Sequence, residues 1–148
     1  MPAYSCRIPH QAISLFPACT RPHVLAQFPQ QDISESRQIN GGKTSTQVNY
    51  QGVLLKDVLA AADLKEGQRH DFRKALVIAR ARDGYIALFT WGELFNASAG
   101  EHILVITGKN NEPLPASEGP FVLRALGDIK PGPRHVKWLE QVEVLLIR

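Results

Sequence analysis

The sequence predicts an α+β fold, mixed α/β in character, with mostly short strands and one strong helix in a single domain. Apolar runs of strand length recur after residue 74, and Gly, Pro or Asn separate them. A single segment, 54–64, carries apolar residues at clear helical spacing. Strands and helices do not alternate in a repeating βαβ order, which argues against a doubly wound parallel sheet.

Composition and charge limit the classes of protein and the kinds of partner that fit this chain. The 148 residues suffice for one domain with a sizeable core, and a hydrophobic fraction of 44% is ordinary for a globular chain. The net charge of +3 suits a small anionic ligand, but no Lys/Arg tract is interleaved with aromatics, so no nucleic-acid partner is expected. No apolar run reaches the roughly 18 residues of a membrane span, so no membrane partner is expected either. The oligomeric state stays open.

The N-terminal segment reads differently from the rest of the chain. Four prolines break any periodic element there, so residues 1–23 are expected to form an irregular arm or an extended strap, before a domain at 24–148. The segment lacks the continuous apolar stretch of a secretory signal, which predicts a cytoplasmic location. A periplasmic location would follow if the natural N-terminus is altered or truncated.

The first half of the domain is expected to contain one strong helix. VLAQF is predicted as a short helix that ends at Pro29, and the weak alternation of 31–37 favours a strand. Residues 39–47, INGGKTSTQ, have the composition of a loop. Residues 54–64, LLKDVLAAADL, place their apolar side chains on one helical face. A hairpin follows, with strands at 75–79 and 85–89 and a turn at 81–84.

The second half is expected to consist mainly of strands. Thr90 and Glu93 have capping-box spacing, which predicts a short helix that ends near Asn96. Strands are predicted at 102–107 and 120–126, with a turn between them in which Asn110 and Asn111 tolerate positive φ. A Pro/Gly loop, 128–133, precedes one or two final strands formed by VKWL and VEVLLI.

The segment GPRHVKWLEQVEV, 132–144, concentrates positive character at the start of a strand. Arg134, His135 and Lys137 lie within four residues. Solvent exposure is the default interpretation for such charges. Asp128 is placed to pair with Arg134 or Lys130 across the loop, and no Ser-His-Asp order stands out from chance.

Five motifs in order resemble one known family, the molybdopterin-binding domain of the sulfite oxidase superfamily. They are YQGVLLKDVL (50–59), DGY (83–85), WGEL (91–94), NEPLPASEGP (111–120) and RHVKWL (134–139). Each motif alone is weak, but the set covers about two-thirds of the chain. The resemblance identifies the chain as a small stand-alone, bacterial-type member. It implies a mixed α/β fold and a pocket for the molybdenum cofactor, molybdopterin.

The resemblance also implies which residues contact that cofactor. The RHVK segment lies beside the cofactor in the family, so Arg134 and Lys137 are the first candidates to bind its phosphate. His135 and the backbone of Val136 are second candidates, and Arg37 and Lys43 are added as nearby cations. Arg80, Arg82 and Arg124 would extend the positive pocket if their strands are neighbours, although exposure is the default for each.

One departure from the family pattern bears on the chemistry. The family binds molybdenum through a cysteine in a Q-C-A-G-N-like stretch, and Ile39 occupies that place here. An alkyl side chain cannot ligate a metal. If the chain is active, it would be a molybdenum-dependent oxidoreductase. The alternative is a non-catalytic module whose pocket is empty or binds another small anion or a protein partner.

The two cysteines lie in the N-terminal arm. Cys6 and Cys19 are each followed by Pro and His, and two Cys with two His can form a zinc site, although Cys-x3-His spacing is unusual for zinc. Cys19 is also a possible substitute for the missing thiolate. Coincidence within an irregular arm is the simplest interpretation, so no metal ligand is assigned.

Overall fold

The computed structural model describes residues 10–14, 27–42, 44–62, 64, 71–130 and 132–147. Its strands are His10–Ser14 (β1), Gln31–Ile39 (β2), Thr44–Leu54 (β3), Ala75–Ala81 (β4), Ile86–Thr90 (β5), Ile103–Lys109 (β6), Glu112–Pro113 (β7), Val122–Ala125 (β8), His135–Val136 (β9) and Leu139–Leu146 (β10). Its α-helices are Leu55–Ala61 (α1) and Trp91–Phe95 (α2). Short 3-10 turns occupy Asn40–Gly42, Asp71–Lys74 and Ser98–His102.

The strands form two antiparallel sheets. One has four strands in the order β1-β10-β4-β5, and its β4–β5 hairpin pairs Ile78 with Leu88. The other has six strands in the order β2-β3-β6-β8-β9, with β7 paired to β6. Strand β6 lies between β3 and β8, and its first four residues, Ile103 to Ile106, are all buried. Because β6 is covered on both faces, it is the centre of the molecule.

The main core lies between the two sheets and the helices. Its largest fully buried side chains include Phe89 from β5, Phe121 ahead of β8, and Leu55 and Leu59 from α1. A second apolar cluster covers the opposite face of the six-stranded sheet: Val48, Tyr50, Leu54, Leu104, Ile106 and Val122. Burial of this apolar area is the main stabilising term in the fold.

The predicted fold class is wrong. The fold is mainly β, with two sheets and, in the described part of the chain, two α-helices of seven and five residues. The prediction gave too much weight to the apolar periodicity of 54–64. That segment begins at the end of a strand, and the helix itself is α1, only two turns long.

The loop predicted at 39–47 is also wrong. Asn40–Gly42 makes a tight turn in which Gly41 has φ 68°, and Thr44 begins the longest strand, β3. The pairing of β2 with β3 runs without a break from Gln31↔Gly52 to Ile39↔Thr44. Ladder hydrogen bonds to neighbouring strands therefore override the loop-forming composition of this segment.

Several local predictions are confirmed. Asn110 and Asn111 have φ of 54° and 64° at the turn between β6 and β7. The capping box of α2 is present, because the Thr90 hydroxyl accepts from the Glu93 N–H (3.1 Å) and the Glu93 carboxylate accepts from the Thr90 N–H (3.0 Å). The helix ends at Phe95, in agreement with the predicted end near Asn96.

The structure describes only part of the N-terminal segment, so the predictions for this segment are tested only in part. Within the predicted arm 1–23, His10–Ser14 pairs antiparallel with β10, and most of the arm lies outside the described residues. Of the helix predicted for VLAQF, residues 24–26 also lie outside them. No helix in the described ranges combines the length and apolarity that a membrane crossing requires.

Candidate functional site

The RHVK segment lies where the edges of the two sheets meet. Strand β9 forms the last strand of the six-stranded sheet and pairs with β8, with Leu123↔Val136 and Arg124↔His135 in register. The side chain of Val136 is fully buried in the main core. Neighbouring residues of a strand point to opposite faces, so His135 lies on the outer face of the sheet.

Arg134 is held by carboxylates of the protein itself. Its Nε and Nη2 donate to the two carboxylate oxygens of Asp128 at 2.8 and 2.6 Å. Its Nη1 donates to Glu93 (2.8 Å) and to the Leu88 carbonyl (3.2 Å), and the guanidinium lies 4.5 Å from the centre of the Phe89 ring. The hydrogen bonds from Arg134 to Asp128, and then to Glu93, raise the pKa of Arg134 above its ordinary value.

The predicted Asp128–Arg134 pair is therefore confirmed, and it changes the role expected of the arginine. A guanidinium that forms a bidentate pair with one carboxylate and contacts a second has few donors left for a ligand. Arg134 therefore connects the loop that precedes β9 to the C-terminal end of β5, where α2 begins. It lines a cavity of about 300 Å³ with Ser98, His102 and Asp128.

Lys137 lines a different cavity, on the outer face of the six-stranded sheet. We call it the cationic cavity; its volume is about 180 Å³. Sheet register assembles it, since Tyr50 faces Lys109 across β3 and β6, and Arg124 faces His135 across β8 and β9. Its full lining is Tyr50, Ile106, Lys109, Leu114, Glu118, Val122, Arg124, His135 and Lys137.

Arg124 is the most deeply buried charge of the cationic cavity, with a side chain only 3% exposed. It donates from Nη1 to the Tyr50 hydroxyl, and the same Nη1 lies 3.1 Å from the Glu35 carboxylate. Its Nε has no hydrogen-bond partner among the described residues. A buried donor without a partner is costly, so this atom marks a place where a water or a ligand oxygen would be stabilised.

The remaining charges give the cationic cavity a positive balance. Lys109 lies 3.7 Å from Glu118, so this lysine has a local counter-charge. Lys137 is exposed, and within the described ranges its ammonium group has no ion-pair partner. With Arg124 paired to Glu35, Lys137 supplies a net positive charge, and protonation of His135 would add another.

The other candidate residues give less information. Arg37 lies in β2 opposite Thr46, and its side chain is not described. Lys43 lies outside the described residues. Ile39 is the last residue of β2 and pairs with Thr44 beside the tight turn. Cys6 and Cys19, which were not assigned as metal ligands, and His23 of the second Cys-x-x-Pro-His segment also lie outside the described residues. The residues that the structure does describe contain no cluster of His, Cys, Asp or Glu suited to a metal.

Sequence reasoning missed part of the cavity. The sequence does not predict that Tyr50 and Lys109 line the cavity or that Glu35 pairs with Arg124, because their proximity depends on strand pairings between residues far apart in the chain. Exposure is the default expectation for Arg124, and the structure shows it buried. Its position inside the apolar run FVLRAL was the available signal, since a charge within a buried strand usually has a specific partner.

Comparisons with known proteins agree with the resemblance noted in the sequence. The family described as "Oxidoreductase molybdopterin binding domain" matches residues 7–146. No curated protein matches the chain. The family match spans nearly the whole chain, including β1 and the RHVK segment, and we conclude that the chain belongs to the oxidoreductase molybdopterin-binding domain family.

Proposed function

We propose that this chain is a non-catalytic member of its family that binds the phosphorylated end of a pterin-type ligand in the cationic cavity. The observation that carries the proposal is Arg124, a 3% exposed guanidinium at this cavity whose Nε lacks a partner in the described part of the chain. Lys137 and His135 stand on the same cavity. Tyr50 and Glu35 engage the Nη1 and Nη2 of Arg124, so Arg124 offers its Nε to a phosphate oxygen, and Lys137 adds a point charge.

The residues present fit only part of the family's cofactor. A thiolate is the soft ligand that completes sulfur coordination of molybdenum, and the described residues contain no cysteine. Ile39, which we place at the position of the family's cysteine, offers no donor atom. The volume of about 180 Å³ is also small for a whole cofactor, because ligand cavities usually measure roughly 300–1,000 Å³. The donors fit an anionic group and do not fit the metal, so we derive no redox step.

The first test determines whether the purified protein contains molybdenum and a bound pterin. We expect the chain, purified from a host that makes the molybdenum cofactor, to contain no stoichiometric molybdenum by elemental analysis. Pterin fluorescence after acid oxidation should distinguish a bound pterin from a free small anion. Stoichiometric molybdenum that stays bound through gel filtration would overturn the non-catalytic assignment.

The second test asks where an anion binds. In a titration with inorganic phosphate followed by amide NMR, signals of β8 and β9 should shift first. Replacement of Lys137 by Gln should weaken this binding about tenfold, the effect of one lost charge-assisted hydrogen bond. Lys130→Gln is the matched control, because Lys130 is an exposed lysine of the preceding loop that does not line the cavity. Equal affinity of the two variants would place the anion elsewhere.

A further inference from the structure

Arg124 uses only part of its donor set at the cationic cavity. The Nε–H of an arginine and one Nη2–H are parallel, so together they form a fork that fits two oxygens of one anion. In Arg124 the Nε lacks a hydrogen-bond partner among the residues described, and Nη2 donates to Glu35 at 3.4 Å, which is long for a charged pair. The fork of this buried guanidinium is therefore only half used.

The Glu35 carboxylate is equally poorly aligned. Its Oε2 lies 3.1 Å from Nη1 of Arg124, yet this solvent-shielded oxygen accepts no hydrogen bond from the described part of the chain. Its Oε1 makes the 3.4 Å contact with Nη2. A buried ion pair stabilises a fold only where its donors and acceptors are satisfied. The Arg124–Glu35 pair therefore has the desolvation cost of two charges without the full set of hydrogen bonds that offsets this cost.

The Arg134 ion pair shows a fully used fork in the same molecule. Its Nε and Nη2 donate to the two carboxylate oxygens of Asp128 at 2.8 and 2.6 Å. Both arginines contact a carboxylate with Nη2, but only Arg134 has the geometry of a bidentate pair. Asp128 thus fits its arginine as a permanent partner, whereas Glu35 fits Arg124 as a partner that a better-matched anion can replace.

The position of Glu35 allows such a replacement. It lies on β2, the edge strand of the six-stranded sheet, which pairs with β3 on one side. None of the residues 31–36 is buried, and the Glu35 side chain is 21% exposed. Arg124 lies in β8 and is 3% exposed. The carboxylate can therefore turn outward into water while the guanidinium keeps its place.

We propose that Glu35 is a displaceable internal anion of the cationic cavity: a phosphoryl group takes its place at Arg124, and the Glu35 side chain turns outward. This role of Glu35 rests on the proposed function and adds to it a threshold for binding. A free carboxylate repeats what Glu35 already supplies at a high effective concentration, so it does not displace Glu35. A phosphate dianion brings more charge and two oxygens that match the fork of Nε and Nη2, so it does.

The test follows the carboxyl carbon of Glu35 by NMR while the full chain is titrated with inorganic phosphate at about pH 8, where phosphate is mostly dianionic. As the amide signals of β8 and β9 shift, the Glu35 signal should move, with the same isotherm, to the position of a solvent-exposed glutamate. Sodium acetate at the same concentrations should leave the Glu35 signal in place. A Glu35 signal that stays while phosphate saturates β8 and β9 would overturn the proposal, and so would equal displacement by acetate.

A variant of Glu35 tests the competition directly. Glu35→Gln should tighten phosphate binding about tenfold, the difference between a charge-assisted and a neutral hydrogen bond to Arg124. Asp32→Asn is the matched control, because Asp32 is an exposed carboxylate of the same strand that accepts from the Gln51 side chain (3.3 Å). It should change the affinity by no more than about twofold. Equal gains in both variants would show an effect of net charge alone, and weaker binding by Glu35→Gln would show that Glu35 positions Arg124; either result rejects displacement.

The same titrations separate the role of Glu35 from the proposed function. If phosphate shifts β8 and β9 but neither the Glu35 signal nor the affinity of Glu35→Gln changes, the cavity binds the anion and Glu35 is not its competitor. Binding by Glu35→Gln alone would support both the cavity and the competition. If phosphate shifts neither strand in the parent chain or in Glu35→Gln, the proposed function is rejected, and the role of Glu35 is rejected with it.

Discussion

At the scale of single residues, Arg134 makes structural ion pairs in a segment where the family resemblance implies a phosphate contact. Its motif suggested a phosphate contact, yet Asp128 and Glu93 engage its donors on both sides. The difference between the two roles depends on which carboxylates lie nearby. Glu93 serves the α2 capping box and the Arg134 pair at once, so the helix start and the loop are coupled through one carboxylate.

A first prediction follows from these contacts. Arg134→Gln should lower the free energy of unfolding by about 2–3 kcal/mol, because it removes charge-assisted hydrogen bonds and leaves two carboxylates without their cation. Arg134→Lys should recover part of the loss, since it keeps the charge without the bidentate fork. Urea unfolding measures both. Lys130→Gln should stay within about 0.5 kcal/mol of the parent; an equally small effect of Arg134→Gln would show that the ion pairs do not contribute.

Gly119 supports a second prediction at the same scale. Gly119→Ala combines a left-handed backbone with a Cβ that would overlap Trp138, so it should destabilise the fold by more than the roughly 1–2 kcal/mol of the backbone strain alone. Gly84→Ala is the matched control, because Gly84 has φ 94° with open space around it. Unfolding curves and Trp fluorescence should separate the variants. Equal losses, with the indole emission unchanged in both, would contradict the close packing of Gly119 on Trp138.

At the scale of elements, the turn between β6 and β7 gives two adjacent asparagines different roles. Asn110 Oδ1 accepts from the Asn49 N–H (3.0 Å), which ties the turn to β3, and the Asn111 N–H donates to the Gln51 side chain (2.9 Å). Only the first contact depends on an asparagine side chain. Both residues have positive φ, which glycine adopts at no steric cost.

The third prediction compares glycine at these two positions. Asn111→Gly should leave stability unchanged or raise it by up to about 1 kcal/mol, because it relieves backbone strain and removes no described side-chain contact. Asn110→Gly gains the same relief but loses the hydrogen bond to Asn49, so it should be the less stable variant. Thermal unfolding of the pair decides the order. The opposite order would mean that the Asn110 contact does not hold the turn on β3.

Elements with a local signal were predictable, and elements defined by distant pairing were not. The capping box of α2 and the asparagine turn follow from residues within four positions of each other. Strand β3 begins with Thr, Ser, Thr and Gln, all exposed, and its identity comes from β2 on one side and β6 on the other. Composition favours a loop there, and only the ladder hydrogen bonds reveal a strand.

At the scale of the whole molecule, the same limit explains the wrong fold class and the incomplete site. A sequence pattern can indicate a strand but does not identify the strand that pairs with it, so the two sheets could not be assembled in advance. The cationic cavity draws on β3, β6, β8 and β9, and Arg124 reaches Glu35 across 89 positions of sequence. The RHVK motif identified one edge of this cavity, and the sheet order supplies the rest.

The sheet order also predicts where the molecule is most stable. Leu104–Ile106 of β6 are buried and pair with strands on both sides, whereas Thr44–Gln47 at the start of β3 are exposed beside the turn. In native-state hydrogen exchange followed by NMR, amides of β6 should exchange only through global unfolding, with a denaturant dependence equal to the unfolding m-value. Amides of Thr44–Gln47 should exchange through local opening with little denaturant dependence. Gly119→Ala serves as a check, because it should accelerate the β6 amides by the factor that its loss of global stability requires. If the amides of β6 and of Thr44–Gln47 exchange at similar rates, the six-stranded sheet is not organised around β6. The cationic cavity would then not rest on a rigid strand.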